Sequence, residues 1–280
     1  MNRVAGDGSF VAALRAAVRL RDVFALALVP AVLLVVFVLP VERREGLAFV
    51  YEEPSLLTAY SAHFVHFDVA HLAANLLGFA IVAGLGYVLA AVAGYRRLVG
   101  LATVTYLLAF PPVLSALNLA VPRRAVGYGF SGVNMAFAGL LALVLVAYLS
   151  RLDDRIQVRD APGLFFAVVT LISIVGLPSR IAAVVGAASA LVAVGYLLTV
   201  RQRWTGPLSA RLAVGWLDAA VLGAIALFGY QFVGFGNASV EDGVVNVYVH
   251  LLGLCLGFIV PYTALEAGVV EADDRGFLSD

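Results

Sequence analysis

VGYGFSGVNMAFAGLLALVLVAYLS, residues 126–150, runs for twenty-five residues without a charged side chain and opens with three glycines around a single serine. A helix needs roughly 20 apolar residues to cross about 30 Å of hydrocarbon, so this stretch predicts a membrane span that begins in a loose, polar turn. Seven more charge-poor runs lie around it, at 23–41, 69–95, 98–122, 161–179, 181–200, 212–240 and 243–265. Only Asp218 interrupts the 212–240 run, and 161–179 is the weakest of the set because Gly163 and Pro178 leave a short helix. Lipid offers the backbone no hydrogen-bond partners, so spans must satisfy themselves internally. The expectation is an all-α, polytopic transmembrane bundle of about eight spans.

Composition agrees. Of 280 residues, 62% are hydrophobic and 13% charged, which excludes an ordinary water-soluble globule. Eighteen basic residues balance eighteen acidic ones, and no basic stripe interleaved with aromatics appears, so nucleic acid is not an expected partner. The single cysteine, Cys255, has no internal disulfide partner and sits in an apolar run that suits packing.

Three domains follow. Residues 1–22 carry Phe10, Leu14 and Val18 at helical spacing beside Arg15 and Arg19, as an amphipathic helix on the inner leaflet would. Residues 23–266 form the transmembrane domain, and 267–280 an acidic tail. The 23–41 run is too long for a signal-peptide core and lacks a small-residue cleavage site after it, so it is expected to remain as a span. With the N-terminus inside, thirteen arginines fall in cytoplasmic segments (Arg3, Arg15, Arg19, Arg21, Arg96, Arg97, Arg151, Arg155, Arg159, Arg201, Arg203, Arg211 and Arg275). Five, namely Arg43, Arg44, Arg123, Arg124 and Arg180, fall outside. That bias predicts a multi-pass cell-membrane protein with both termini cytoplasmic.

Polar groups at membrane depth are costly and default to function. SAHFVHFDVAHLAANLLGF, residues 61–79, holds three of the four histidines, His63, His66 and His71, with Asp68 among them. His71 and Asn75 are i,i+4 and share a helix face. An interfacial helix start capped by Asp68 explains the same residues without chemistry. In the second cluster, Gly129-Phe130-Ser131-Gly132 places a serine beside the unpaired N–H groups of a helix start, the donors that stabilise an oxyanion. In the third, VYVHLLGLCLGFIVPY at 247–262, His250 shares a face with Gly253 and Gly257, where a neighbouring helix can come close. Together these give a nucleophile, a base and two further donors, the parts needed for acyl transfer.

On these residues the chain resembles the rhomboid family of intramembrane serine proteases: H-F-x-x-x-x-H-x-x-x-N with His66, His71 and Asn75, then G-F-S-G with Ser131, then H-x-x-G-x-x-x-G with His250. The resemblance covers the spans at 69–95, 98–122, 125–150 and 243–265 and extends to 23–41. It implies a rhomboid-like core in which Ser131 is the nucleophile and His250 the base. His71 and Asn75 would join the Ser131 backbone N–H in the oxyanion hole, with His66, Gly129, Gly132, Gly253 and Gly257 supporting the site. No metal and no cofactor are implied, and the partners would be transmembrane protein substrates and the lipid bilayer. The chain departs from the family in three places. Three apolar runs separate Ser131 from His250 where the basic form has one, residues 42–63 contain no tryptophan, and Met135 stands where an aromatic often stacks on the histidine. Two extra crossings would keep serine and histidine on one side; one would not.

His63, His66, Asp68 and the glycine-bearing loop 234–243 are expected to line a wet mouth above the serine, the loop in the place of the family's cap. Three other readings compete: an inactive rhomboid-like protein that binds transmembrane helices; a zinc hydrolase using His63, His66, His71 and His250; and a transporter with Asp218, Asn118 or Asn134 along a polar path. Asp218 is more simply a buried hydrogen-bonding residue or one near the inner interface.

Overall fold

The computed structural model describes residues 9–121, 124–176, 179–204, 215–236, 239–240, 243–244 and 246–273. Arg3, Arg123, Arg211, Arg275, Pro178, the tail beyond residue 273 and positions 237–238 and 241–242 of the 234–243 loop lie outside the described residues.

The helices, in order, are α1 (Phe10–Ala17), α2 (Leu20–Phe37), α3 (Val41–Glu45), α4 (Leu56–Ser61), α5 (Val69–Ala93), α6 (Arg96–Leu108), α7 (Phe110–Asn118), α8 (Ser131–Leu152), α9 (Ala161–Val175), α10 (Arg180–Gln202), α11 (Trp216–Phe235) and α12 (Val247–Glu266). Four two-residue strands make two small antiparallel pairs: β1 (Phe49–Val50) with β2 (Val126–Gly127), and β3 (Ser239–Val240) with β4 (Gly243–Val244). Seven helical segments are long and apolar enough to cross a membrane, and α6 with α7, bent by 51°, makes an eighth if the pair counts as one span. This is a multi-pass helical bundle. The run at 98–122, longer than one crossing requires and expected to include some loop, breaks at Ala109, just ahead of Phe110-Pro111-Pro112, whose prolines deny the helix two backbone donors.

Helix α8 is the axis: Gly132 through Tyr148 are buried without interruption, a pattern that a helix shows only when protein surrounds it on all sides. It packs most extensively against α12 and α5, and also against α9 and α11. By contrast α10 packs mainly on α9, and most of its surface faces outward. The two helices form a peripheral hairpin whose base is closed by Arg203, which donates to both carboxylate oxygens of Asp160 at 2.7 and 3.0 Å.

Interface glycines set the α8–α12 distance. A Cβ on Gly253 would collide with the Gly132 carbonyl, one on Gly257 with the Ala136 carbonyl, and one on Gly139 with the Leu254 carbonyl. Contacts that advance together along both helices show that α8 and α12 run parallel and start at the same end. The expected parity therefore holds, with α9, α10 and α11 between them. At the other end Arg96 donates to the Ala17 carbonyl at 2.8 Å and pairs with Asp273 at 3.5 Å, so the N-terminal and C-terminal segments meet on one face.

Helix α1 buries Ala13 and Ala17, with Phe10, Leu14 and Val18 half-buried beside them, and Phe10 packs edge-on against Trp216. Asp218 is exposed in the first turn of α11 and accepts the Gly215 N–H at 3.0 Å. Of its two expected roles, the buried one is corrected: it caps a helix start.

Candidate active site

The loop between α2 and α5 assembles the site end of the bundle. In it β1 pairs with β2, so the backbone just before Ser131 is bonded to residues 49–50. The Gly129 N–H donates to the Ala62 carbonyl at 3.0 Å, and the Phe130 N–H points at His66 Nε2 at 3.5 Å. Without a tryptophan, the loop is anchored by Arg44, a buried residue. It donates to the His66 carbonyl at 2.6 Å and lies over the rings of Phe37 and Phe67, at 5.0 and 5.6 Å. Such contacts repay part of the cost of burying the guanidinium. Tyr51 reaches further: its hydroxyl accepts from Asn118 on α7 and from Asn246 at 3.2 Å. Asn246 in turn caps α12 by accepting the Val249 N–H at 3.2 Å. One loop thus fixes the start of the serine helix and the start of the histidine helix.

Ser131 is the first residue of α8, so its own N–H and those of the next two residues have no acceptor within the helix. Gly129 has φ +106, and a Cβ there would lie 2.7 Å from the His71 ring. Only glycine lets the imidazole settle against the chain two residues before the serine. The His71 ring packs edge-on against His66, with centroids 4.9 Å apart, and also touches Tyr128. Asp68 caps α5 by accepting the His71 N–H at 2.8 Å, as expected, an interaction that contributes about 1 kcal/mol. Asn75, buried on the same face as His71, donates to the His71 carbonyl at 3.0 Å and is oriented by Asn134, which donates to its side-chain oxygen at 3.2 Å.

His250 is buried one turn into α12. Its Nδ1 lies 2.8 Å from the Gly234 carbonyl, which can only accept, so Nδ1 carries a proton. In the neutral ring Nε2 is then the acceptor. Phe235 packs edge-on against the ring at 6.0 Å, and Met135 packs against Gly234. Phe235, at the end of α11, is thus the aromatic ring beside His250. The neighbours of the two residues touch: Gly132 faces Val249, and Gly253 faces the Gly132 carbonyl. No hydrogen bond among the described residues joins Ser131 Oγ to His250.

Two expected mouth residues are corrected. His63 and His66 are both buried, because the loop folds onto the bundle instead of standing in water. His63 Nε2 lies 3.1 Å from Ser115 Oγ, and that hydroxyl donates to the Ala59 carbonyl at 2.8 Å, so His63 is the donor and a structural link to α7. Asp68 is the one of the three that is exposed. Among the described residues no three of His, Cys, Asp and Glu gather at metal-binding geometry.

Burial lowers both loop histidines from 6.5 to about 4, His66 with help from the neighbouring His71. The unfolded chain therefore takes up protons between pH 6.5 and 4 that the folded chain refuses. Stability is full above that window and falls as pH drops through it, by at most about 1.4 kcal/mol per pH unit for each histidine. Thermal unfolding in detergent from pH 7.5 to 4.5 should show this slope, and His63→Gln should make it shallower; equal slopes would contradict the assignment.

Gly234, Phe235, Asn134, Arg44 and Tyr51 carry no local motif. Asn134 stands three residues after Ser131 on the same helix face, and Gly234 and Phe235 open the loop singled out at 234–243. No family model matches the chain, and neither the curated proteins nor the solved structures contain a significant match.

Proposed function

We propose that the chain is a rhomboid-like intramembrane serine endopeptidase that cuts transmembrane helices of other membrane proteins with a Ser131–His250 dyad. One observation carries this reading. A serine at an uncapped helix start and a histidine whose Nδ1 is pinned to a backbone carbonyl lie at the same end of the most closely packed helix pair. The pinning supports general-base chemistry, since it aims the one basic nitrogen, Nε2, away from Gly234.

In this mechanism Ser131 Oγ attacks the scissile carbonyl while His250 Nε2 accepts its proton. The negative charge that develops on the carbonyl oxygen is met by the Ser131 N–H, Asn75 and His71. Collapse breaks the C–N bond, the imidazolium returns its proton to the leaving amine, and water hydrolyses the acyl-enzyme by the same steps in reverse. The mechanism requires a hydrogen bond from Ser131 Oγ to His250 Nε2 in the substrate complex, where catalytic hydrogen bonds often tighten. The substrate is a helix that must unwind locally to expose its backbone.

The test is cleavage of a model transmembrane substrate in proteoliposomes. Wild type should cut it and Ser131→Ala should not, while Asn75→Ala should retain activity lowered about 10–1000-fold, the scale of losing one oxyanion donor. Equal cleavage by all three would sink the proposal. A folded wild type that binds the helix and leaves it intact would mark the chain as an inactive helix-binding relative. On this reading both termini are cytoplasmic and the site opens on the outer side of the cell membrane.

A further inference from the structure

At the end of the bundle opposite Ser131, a cavity of about 880 Å³ lies between the starts of α2 and α6. It exists because α2 leans on α5 and stands away from α6. Four arginines line it, Arg19, Arg21, Arg96 and Arg97, against two carboxylates, Asp22 and Asp273. Both carboxylates are engaged: Asp22 with Arg21 at 3.4 Å and with the Tyr87 hydroxyl at 3.1 Å, Asp273 with Arg96 at 3.5 Å. Among the described residues Arg19 and Arg97 have no acidic partner.

The two helix starts bordering the cavity, Leu20 of α2 and Arg96 of α6, have no side-chain cap. Their free N–H groups add to the positive potential of the arginines. Deeper along the same walls the lining turns apolar with Ala25, Leu26, Leu101 and Val104, and nothing lies within 4 Å of a Cβ built on Gly100. Thr103 Oγ1, also in the lining, is shut from solvent and has no hydrogen-bond partner.

A basic rim continuous with an apolar wall matches an anion attached to hydrocarbon. We propose that this cavity binds an anionic phospholipid, its phosphodiester between Arg19 and Arg97 and an acyl chain along Gly100, Leu101 and Val104. The excess of arginine over aspartate selects an anionic headgroup over a zwitterionic one, since among the described lining residues no unengaged carboxylate remains to receive a choline or ethanolamine. The site is separate from Ser131 and does not depend on its chemistry.

The experiment is thermal unfolding of the full chain in detergent with added phosphatidylglycerol, phosphatidylcholine or inorganic phosphate. Phosphatidylglycerol should raise the midpoint, and the other two should not. The Arg19→Gln/Arg97→Gln double variant should bind phosphatidylglycerol about 30-fold more weakly, about fivefold for each arginine. Arg43→Gln, an exposed arginine at the other end, should bind it as wild type does. Should the double variant fail to fold, Gly100→Leu fills the apolar wall with every charge kept and should weaken binding likewise. An equal shift with phosphatidylcholine, the full shift with inorganic phosphate alone, or an undiminished response in the folded variants would overturn the proposal.

Discussion

Replacing His250 by alanine is expected to lower cleavage by at least about 10³-fold while the bundle stays folded. Without the imidazole, Ser131 keeps its hydroxyl proton, and only substrate binding and the oxyanion donors remain to promote the reaction. In the proposed mechanism serine and histidine act as one unit, so the Ser131→Ala/His250→Ala double variant should be no slower than the slower single variant. The substitution also carries a structural cost. The alanine leaves a cavity beside Phe235 and an unpartnered Gly234 carbonyl, each of the kind that costs about 1–3 kcal/mol. Single-turnover cleavage alongside a thermal melt separates the two effects. A folded His250→Ala that cuts within tenfold of wild type would remove the histidine from the chemistry.

Gly257→Leu should do more damage to the fold than any substitution on the outer helices. A Cβ at 257 lands on the Ala136 backbone, on its carbonyl oxygen and its Cα, and neither can rotate away. The helices must separate, and α8, buried along nearly its whole length, has no spare space to retreat into. Overpacking usually costs about 1–3 kcal/mol, and a clash with backbone belongs at or above the top of that range. Separation would also carry His250 away from Ser131, so the expected result is a large loss of thermal stability together with loss of activity. Gly229→Ala on α11 is the control, since nothing lies within 4 Å of its Cβ, and it should melt within about 0.5 kcal/mol of wild type. Equal melting of the two variants would show that the glycine stripe does not set the helix distance.

Much of this architecture is legible in the amino-acid order because lipid imposes a simple rule: long charge-free runs become helices. The G-x-x-x-G of α12 predicted a close neighbour, and the backbone of α8 is that neighbour. The Asp68 cap was visible because capping is local, confined to three residues. What escaped was long-range. His63 and His66 look like interfacial residues by composition, and their burial depends on how the loop 41–64 folds back over α7 and the α8 start. The aromatic and the carbonyl that hold His250 come from Phe235 and Gly234, fifteen and sixteen residues upstream at the end of another helix, where no spacing rule points to them. Arg44 anchors its loop through partners separated from it by up to 23 positions.

In the proposed mechanism Ser131 is an activated nucleophile whose reactivity depends on His250. Mass-spectrometric mapping of the adduct formed by a fluorophosphonate on the purified, folded protein tests it most directly. A single adduct on Ser131, absent from His250→Ala, is the expected result. No adduct on the folded wild type, an adduct on another serine, or undiminished labelling of Ser131 in His250→Ala would contradict it.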